Sequence, residues 1–452
     1  MKKITNFLFG TVMVLLCSSS ILFAQQDQSY PPQYGKPFKD VPDRRDVMMY
    51  QVNMRSFSKN GDLKGVTARL DSIKALGINV IYLMPIYPVG VLNSVNSPYA
   101  TKDYDLVGKE FGTLDDLREL VDGAHKRKIA VLIDIVANHT SWDHPWIANK
   151  GWYETDTTGK IKYPRTWRDV AQLNFKNADM RLALIRSMKS WVYKANVDGF
   201  RCDFADGPPI DFWKQAIDTL KTITSHKLLM LAEGSRPEHF GAGFDYNFGF
   251  SFFGNLKNIY SRNKSVRSID TLNVRDYRGA TEEGQAMIRY LTNHDVNSSD
   301  GTPLDLFGGK KGSMAAFVVV AYMKGIPMVY NGQEVGTPFR LVFPFTSTHI
   351  DWTLNNPDVT AEYKKIIAFR NNSEPIRRGV LTSYSSDDVC VFTKILGSKK
   401  VLVLSNLRNK PVTYTFPAEM VNSSWKDAFD GSKTTLSGSV TLEPFAYMVL
   451  KN

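Results

Sequence analysis

Cysteine is scarce. Cys17, Cys202 and Cys390 are the only three in 452 residues, too few for a disulfide framework. Cys202 and Cys390 fall in separate apolar, strand-like stretches and read as buried free thiols. Charge of one sign is not concentrated anywhere. The formal net charge is +11, but the basic residues are dispersed and form no long run. With no helix-turn-helix, zinc-finger or RNA-binding motif besides, nucleic acid is not an expected partner. Beyond the N-terminus no apolar run is long enough to span a bilayer, so no membrane span is expected. A glycine-rich phosphate loop after the first apolar strand is also missing, which argues against a doubly wound dinucleotide-binding sheet.

The one long apolar run stands at the start. Lys2 and Lys3 precede an apolar stretch over 7–16, followed by Ser18, Ser19, Ser20 and then Ala24. This pattern is that of a secretory signal peptide over 1–24, cut after Ala24. Its removal leaves a net charge of +9 (11 − 2, with no acid before residue 25). The expected location is the periplasm or the medium. A lipid anchor at Cys17 is the alternative, against which Leu16 stands where a small residue is expected. Residues 25–45 are polar and proline-rich and read as an N-terminal arm.

From residue 46 a rhythm begins. Apolar runs of strand length occur at 47–52, 78–84, 129–136, 197–204, 227–233, 244–248, 288–292 and 326–330. Helical spacing separates several of them, at 63–76, 114–125, 180–195 and 314–323. Eight strands alternating with helices predict an α/β fold, a closed (β/α)8 TIM barrel over 46–374. One connection is long, the insert at 140–176, which holds Trp142, Trp146, Trp152, Tyr153, Tyr163 and Trp167. Long loops of this kind are usually functional. Sugars present C–H faces that stack on aromatic rings, so the insert is read as a wall of a carbohydrate cleft; a small satellite core on the barrel is the bland alternative, and the two are compatible. After a helix at 361–371, short runs at 389–393, 401–404, 412–416 and 446–450 predict a C-terminal antiparallel β-sandwich over 375–452.

A TIM barrel places its chemistry at the C-terminal ends of its strands. Here those ends carry Asp134-x-x-x-Asn138-His139, then Gly199-Phe200-Arg201-x-Asp203, then Glu233, then Asn293-His294-Asp295. Arg201 and Asp203 are two apart on a strand and share a face, so the arginine is expected to keep the carboxylate ionised. Two carboxyl groups facing one substrate are what glycoside hydrolysis requires.

In order and spacing these motifs resemble those of the α-amylase superfamily, glycoside hydrolase family 13. Gly325-x-Pro327-x-x-Tyr330-x-Gly332-x-Glu334 resembles its last strand, and Ser97-Pro98-Tyr99 through Asp103-Tyr104 resembles its loop after the second strand. The resemblance covers roughly residues 45–450. It implies a retaining hydrolase of α-1,4-glucosidic bonds in starch, maltodextrins or related α-glucans. Asp203 would be the nucleophile, Glu233 the general acid/base and Asp295 the third carboxylate, gripping two sugar hydroxyls. Arg201 would hold Asp203 ionised, His139 and His294 would hydrogen-bond the sugar, and Tyr99 would stack on it. Neopullulanase, oligo-1,6-glucosidase and transglycosylase activities belong to the same family and stay open, and a non-catalytic glucan-binding protein is the remote alternative.

The chain departs from the pattern in places. Gly234-Ser235-Arg236-Pro237 follows the acid where many members have a nearby tryptophan, and Phe204 follows the nucleophile where a smaller residue is common. Many members also hold calcium between barrel and insert. Here Asn138 matches one ligand, but Gln172 and Gly207 stand at two others, and the loop 56–62 has one acid and a lysine. Calcium requires six to eight oxygens, several from carboxylates. No metal and no cofactor are therefore expected.

Overall fold

Eight short parallel strands close into a barrel in the computed structural model, which describes residues 30–354 and 356–452. The expected signal peptide and Cys17 lie outside the described residues. The strands are β1 (Met49–Val52), β2 (Val80–Leu83), β3 (Ala130–Ile135), β4 (Gly199–Cys202), β5 (Leu229–Ala232), β6 (Tyr246–Phe248), β7 (Ala286–Tyr290) and β8 (Ile326–Tyr330). They follow one another around the barrel in chain order, and β8 closes against β1. Every strand residue is buried, which is why the strands read as continuous apolar runs rather than alternating ones. The ladders are shorter than those runs. Val47, Met48 and Ile78, for example, are fully buried yet precede their strands, because loop ends tuck under the barrel as well.

The helices pack by the spacing that the sequence carries. The expected 63–76 helix is two pieces, Leu63–Thr67 and Leu70–Ala75, but Leu63, Val66, Leu70 and Ile73 still face inward together. The helix Ala178–Ala195 starts where the Asn177 side chain accepts from the Met180 N–H and ends on Asn196 in the left-handed conformation. Three residues later, Gly199 opens β4 at φ +147°. A Cβ there would meet the Leu229 carbonyl oxygen at 1.9 Å, so only glycine lets β4 lie against β5 at this point.

The terminal domain is a sandwich. Strands β9 (Val380–Ser383), β10 (Val389–Leu396), β11 (Lys399–Asn406), β12 (Val412–Thr415), β13 (Ser424–Asp427), β14 (Lys433–Thr435), β15 (Ser439–Leu442) and β16 (Tyr447–Lys451) form two sheets. The larger runs β9-β10-β11-β16-β13-β14, and β12 pairs with β15. Val389, Val391, Leu402 and Leu404 face the sandwich core with Tyr414, Phe416 and Leu442. The alternate residues Cys390, Phe392 and Val403 join the barrel's core. Strands β9 and β13–β15 were not expected from the sequence: they are three or four residues long and mostly exposed. Cys202 and Cys390 are both free and buried. Among the described residues no helix is long and apolar enough to cross a membrane.

At the end of β8, Glu334 is buried. The Tyr50 hydroxyl donates to its Oε1 at 2.5 Å, and its Oε2 has no partner. Burial pushes this carboxyl up to about 7, with Tyr50 pulling the other way. A carboxyl raised in the folded state contributes stability that is complete below its unfolded pKa and lost as pH rises through about 7. Glu334→Gln, which cannot ionise, should therefore lose less melting temperature than wild type between pH 5 and pH 8; parallel pH curves for the two proteins would contradict this assignment.

Candidate active site

A cleft of about 610 Å³ opens at the C-terminal ends of the strands. Its walls include Tyr99, His139, Asp203, Glu233, His294 and Asp295, six of the seven expected site residues. Asp203 directly follows β4, and Glu233 directly follows β5. His294 and Asp295 open a short helix whose N-terminus is capped by Asn293, its side chain accepting from the Val296 N–H. Tyr99 comes from the loop after β2, and His139 opens a short strand, His139–Ser141, that follows β3 and pairs with Val170–Gln172.

The seventh residue, Arg201, lies beneath the floor with no exposed surface. Its Nη1 donates to both oxygens of Asp134 at 2.9 and 2.8 Å and to Asp203 Oδ1 at 2.8 Å. Its Nη2 is 2.5 Å from Glu233 Oε1. One cation thus serves three carboxyl groups. Asp134 stands directly opposite Arg201 in the β3–β4 register, which places the pair on one face. Asp134 was not among the expected site residues, although a buried acid inside an apolar strand run was a signal for it.

Sharing changes the expected electrostatics. Burial raises Asp203, and Arg201 opposes that rise without reversing it, so the arginine does not hold Asp203 below the ordinary carboxylate range as a simple ion pair would. Burial likewise holds Asp134 well above the usual range against the pull of Arg201. Glu233 is pushed up to about 7 by burial, against Arg201 and with the help of Asp203 and Asp295. It therefore keeps a proton close to neutral pH. The Phe204 N–H donates to its other oxygen, Oε2, at 2.8 Å.

The histidines are neutral donors or acceptors. Burial takes His139 down to about 4 and also lowers His294. Gln51 Nε2 lies 2.7 Å from His294 Nδ1, and Tyr99 Oη lies 2.9 Å from His294 Nε2. An amide nitrogen only donates, so Nδ1 accepts and Nε2 carries the hydrogen in the neutral ring. Tyr99 also stacks on His294, with centroids 5.4 Å apart. Gln51 is a further residue the sequence reading missed, signalled only as a polar residue inside β1.

The insert is mainly a satellite core. Trp146 packs edge-on to Trp152, and Tyr153 is fully buried with its hydroxyl on Thr140. Of its seven aromatics, Phe175 included, only Trp167 lines the cleft, together with Arg165 and Asp169. Trp167 stands edge-on to His139 and to Phe204, and the Arg165 guanidinium lies 4.3 Å from the Phe204 ring centre. Phe204 itself has φ +41°, an unusual backbone conformation for so bulky a residue.

The place where the family resemblance would put a calcium ion is occupied by an amide. Gln172 Nε2 donates to the Asn138 carbonyl at 3.0 Å, to Asn138 Oδ1 at 3.2 Å and to the Leu173 carbonyl at 3.2 Å. Two backbone carbonyls accept from this atom, which fixes it as the nitrogen. A Cβ at Gly207 would meet Asn138 Oδ1 at 2.4 Å. A hydrogen donor among these oxygens does not fit a cation site. Among the described residues no group of three or more His, Cys, Asp or Glu side chains could hold a metal ion.

Arg201→Met would leave three buried carboxyl groups with no cation. Folding stability should drop by about 3–5 kcal/mol at pH 8 and by much less at pH 5, where the carboxyls take up protons. Denaturant unfolding at the two pH values measures the difference, and an equal loss at both would show that the arginine acts through packing alone.

The α-amylase catalytic-domain model matches residues 33–168 and 149–342. Alpha-amylase 3 of Dictyoglomus thermophilum is 25% identical over 482 aligned positions, covering 90% of this chain and 93% of that protein. Cyclomaltodextrinase of Thermoanaerobacter pseudethanolicus is 26% identical, covering 86% of this chain and 69% of the relative. Among solved structures, a maltogenic α-amylase from Thermotoga neapolitana superposes with a TM-score of 0.81 at 23% identity, covering 91% and 99% of the two chains. An α-amylase from Lactobacillus plantarum superposes with a TM-score of 0.77 at 26% identity, covering 90% and 99%. With the family model matching well over half of its length, the chain belongs to the α-amylase family of glycoside hydrolases.

Proposed function

We propose that the chain is an exported α-amylase that cleaves α-1,4-glucosidic bonds of starch or maltodextrins with retention of configuration. The observation that carries the reading is the single Arg201 guanidinium that draws Asp203 and Glu233 to one point, with Glu233 protonated up to about neutral pH. Two carboxyl groups on adjacent nitrogens of one guanidinium favour the narrow spacing of a retaining enzyme over the wide spacing that admits a water between.

In the first step an Asp203 carboxylate oxygen attacks the anomeric carbon. The bond from that carbon to the glycosidic oxygen breaks as Glu233 passes its proton to that oxygen, and the shortened glucan leaves. In the second step Glu233, now a carboxylate, takes a proton from water, whose oxygen displaces Asp203 from the anomeric carbon. Asp295, 65% exposed at the cleft wall with its Oδ1 3.3 Å from His294 Nε2, presents its carboxylate to sugar hydroxyls. His139 and His294, neutral and buried, serve as hydrogen-bond partners of the sugar at the cleavage point. Tyr99, fixed by its hydrogen bond to His294, offers a ring face to that sugar. The exposed apolar rim of Val95, Phe250 and Phe343 suits the C–H faces of further glucose units. Named relatives include a cyclomaltodextrinase and a glucan 1,6-α-glucosidase. Product analysis on amylose, pullulan and isomaltose separates α-1,4 cleavage from these activities.

Asp203→Asn keeps the shape and removes the nucleophile, so hydrolysis of amylose should fall by about 10³-fold or more. Proton NMR of the wild-type reaction should show the α-anomer first. Near-normal activity of a folded Asp203→Asn variant, or the β-anomer first, would defeat the assignment.

Because Gln172 fills the place of a cation, the enzyme should need no calcium. Excess EDTA should leave both melting temperature and activity unchanged. A large fall reversed by added calcium would show that backbone oxygens hold the ion after all.

A further inference from the structure

Three loops at the rim of the cleft meet on one buried arginine. Arg55 lies in the short helix Met54–Phe57 directly after β1 and does not itself line the cleft. Its guanidinium grips two other loops. Nε donates to Glu110 Oε2 at 2.8 Å and Nη2 to Glu110 Oε1 at 2.8 Å, a two-pronged pair with the loop after β2. In the same loop Nη2 donates to Asn96 Oδ1 at 3.2 Å, and Nη1 to the Asn96 carbonyl at 2.7 Å. The other hydrogen of Nη1 goes to the Pro344 carbonyl, at 3.0 Å, in the loop after β8. A guanidinium has five N–H groups, and all five are used.

A buried charge is tolerated when it is paired and fully hydrogen-bonded. For Arg55 that condition is met only with both loops in place. The helix adds three ties to the loop after β8. His349 Nδ1 donates to the Arg55 carbonyl at 3.0 Å, the Ile350 N–H to the Ser56 carbonyl at 2.8 Å, and the Ser56 hydroxyl to the Phe345 carbonyl at 3.2 Å. The backbone that these bonds hold is not relaxed: Asn96 has φ +59° and Phe345 φ +72°.

The clamped residues stand next to cleft residues. Asn96 lies between Val95 and Ser97, and Pro344 directly follows Phe343; Val95, Ser97 and Phe343 all line the cleft. Val95 and Phe343 are exposed, so burial of their own side chains does little to fix them. We propose that Arg55 is a positioning residue for glucan binding: it holds Val95 and Phe343 in a fixed relation at the rim without touching the sugar. This role rests on the proposed glucan cleavage and adds to it a residue that acts through others. Lysine does not replace the arginine. An ammonium is a point charge with three donors and no planar fork, so it cannot hold Glu110, Asn96 and Pro344 at once.

The test is Arg55→Lys in the full chain, read in two ways. Amide hydrogen exchange over 91–99 and 341–350 should quicken, while that of the barrel strands stays as in wild type. With maltoheptaose as substrate, KM should rise about tenfold and kcat stay within about twofold, the signature of lost binding that is equal in ground and transition states. Should Arg55→Lys not fold, Glu110→Ala, a change at an exposed side chain, should move both readings the same way. Unchanged exchange in the two loops, or faster exchange throughout the barrel, would overturn the clamp whatever the substrate is. Faster exchange in the loops with an unchanged KM would make Arg55 a structural tie and overturn the positioning role. Wild type that does not cleave maltoheptaose would defeat the proposed reaction and this role with it, and the exchange result would still judge the clamp by itself.

Discussion

Everything in the cleft is arranged around the Arg201 guanidinium. It is fully buried, and Asp134, Asp203 and Glu233 all reach it. In a low-dielectric interior each of these groups would be costly alone. Together they make a set with fewer positive than negative sites, so protons are retained where burial is strongest. That is how one fold keeps a proton on Glu233 near neutral pH while an arginine sits beside it. The same set ties three neighbouring strands, β3, β4 and β5, at their C-terminal ends, so the chemistry and the wall share one network.

The backbone makes that convergence possible. Gly199 lets β4 approach β5 closely, and the parallel register sets Asp134 beside Arg201. Immediately after Asp203 the chain turns through Phe204 at positive φ, which aims its N–H at Glu233 and its ring at Trp167 and Arg165. The bulky residue that departs from the family pattern is thus the one that joins the insert to the site.

The barrel was legible because strand-length apolar runs alternate with helical spacing, and because every strand residue is buried on both sides. The terminal sandwich was legible only in its central strands, since β13 to β15 are too short and too exposed to leave an apolar run. In the site, Asp203, Glu233, His139, His294 and Asp295 could be found because strand ends carry them in a fixed order. Asp134 and Gln51 were harder: a polar residue inside an apolar strand run marks a buried polar group, but which site residue it meets depends on the neighbouring strands and helices. Arg165 left no signal at all: it reaches Phe204 across some forty residues of chain, and only the folded insert brings the two together.

Sequence alone settled which side chains stand at the rim of the barrel, because alternation along a strand and position at its end are local properties. It also suggested that calcium ligands are missing, which needs only residue types. Tertiary structure decided the rest. Whether Arg201 would lower Asp203 depended on how many other carboxyls share the guanidinium, and on burial, which outweighs the attraction. Whether the aromatic insert forms wall or core depended on which rings find partners within it, and all but Trp167 stay out of the cleft. Both outcomes are sums over neighbours from distant parts of the chain, and such sums have no value until the chain is folded.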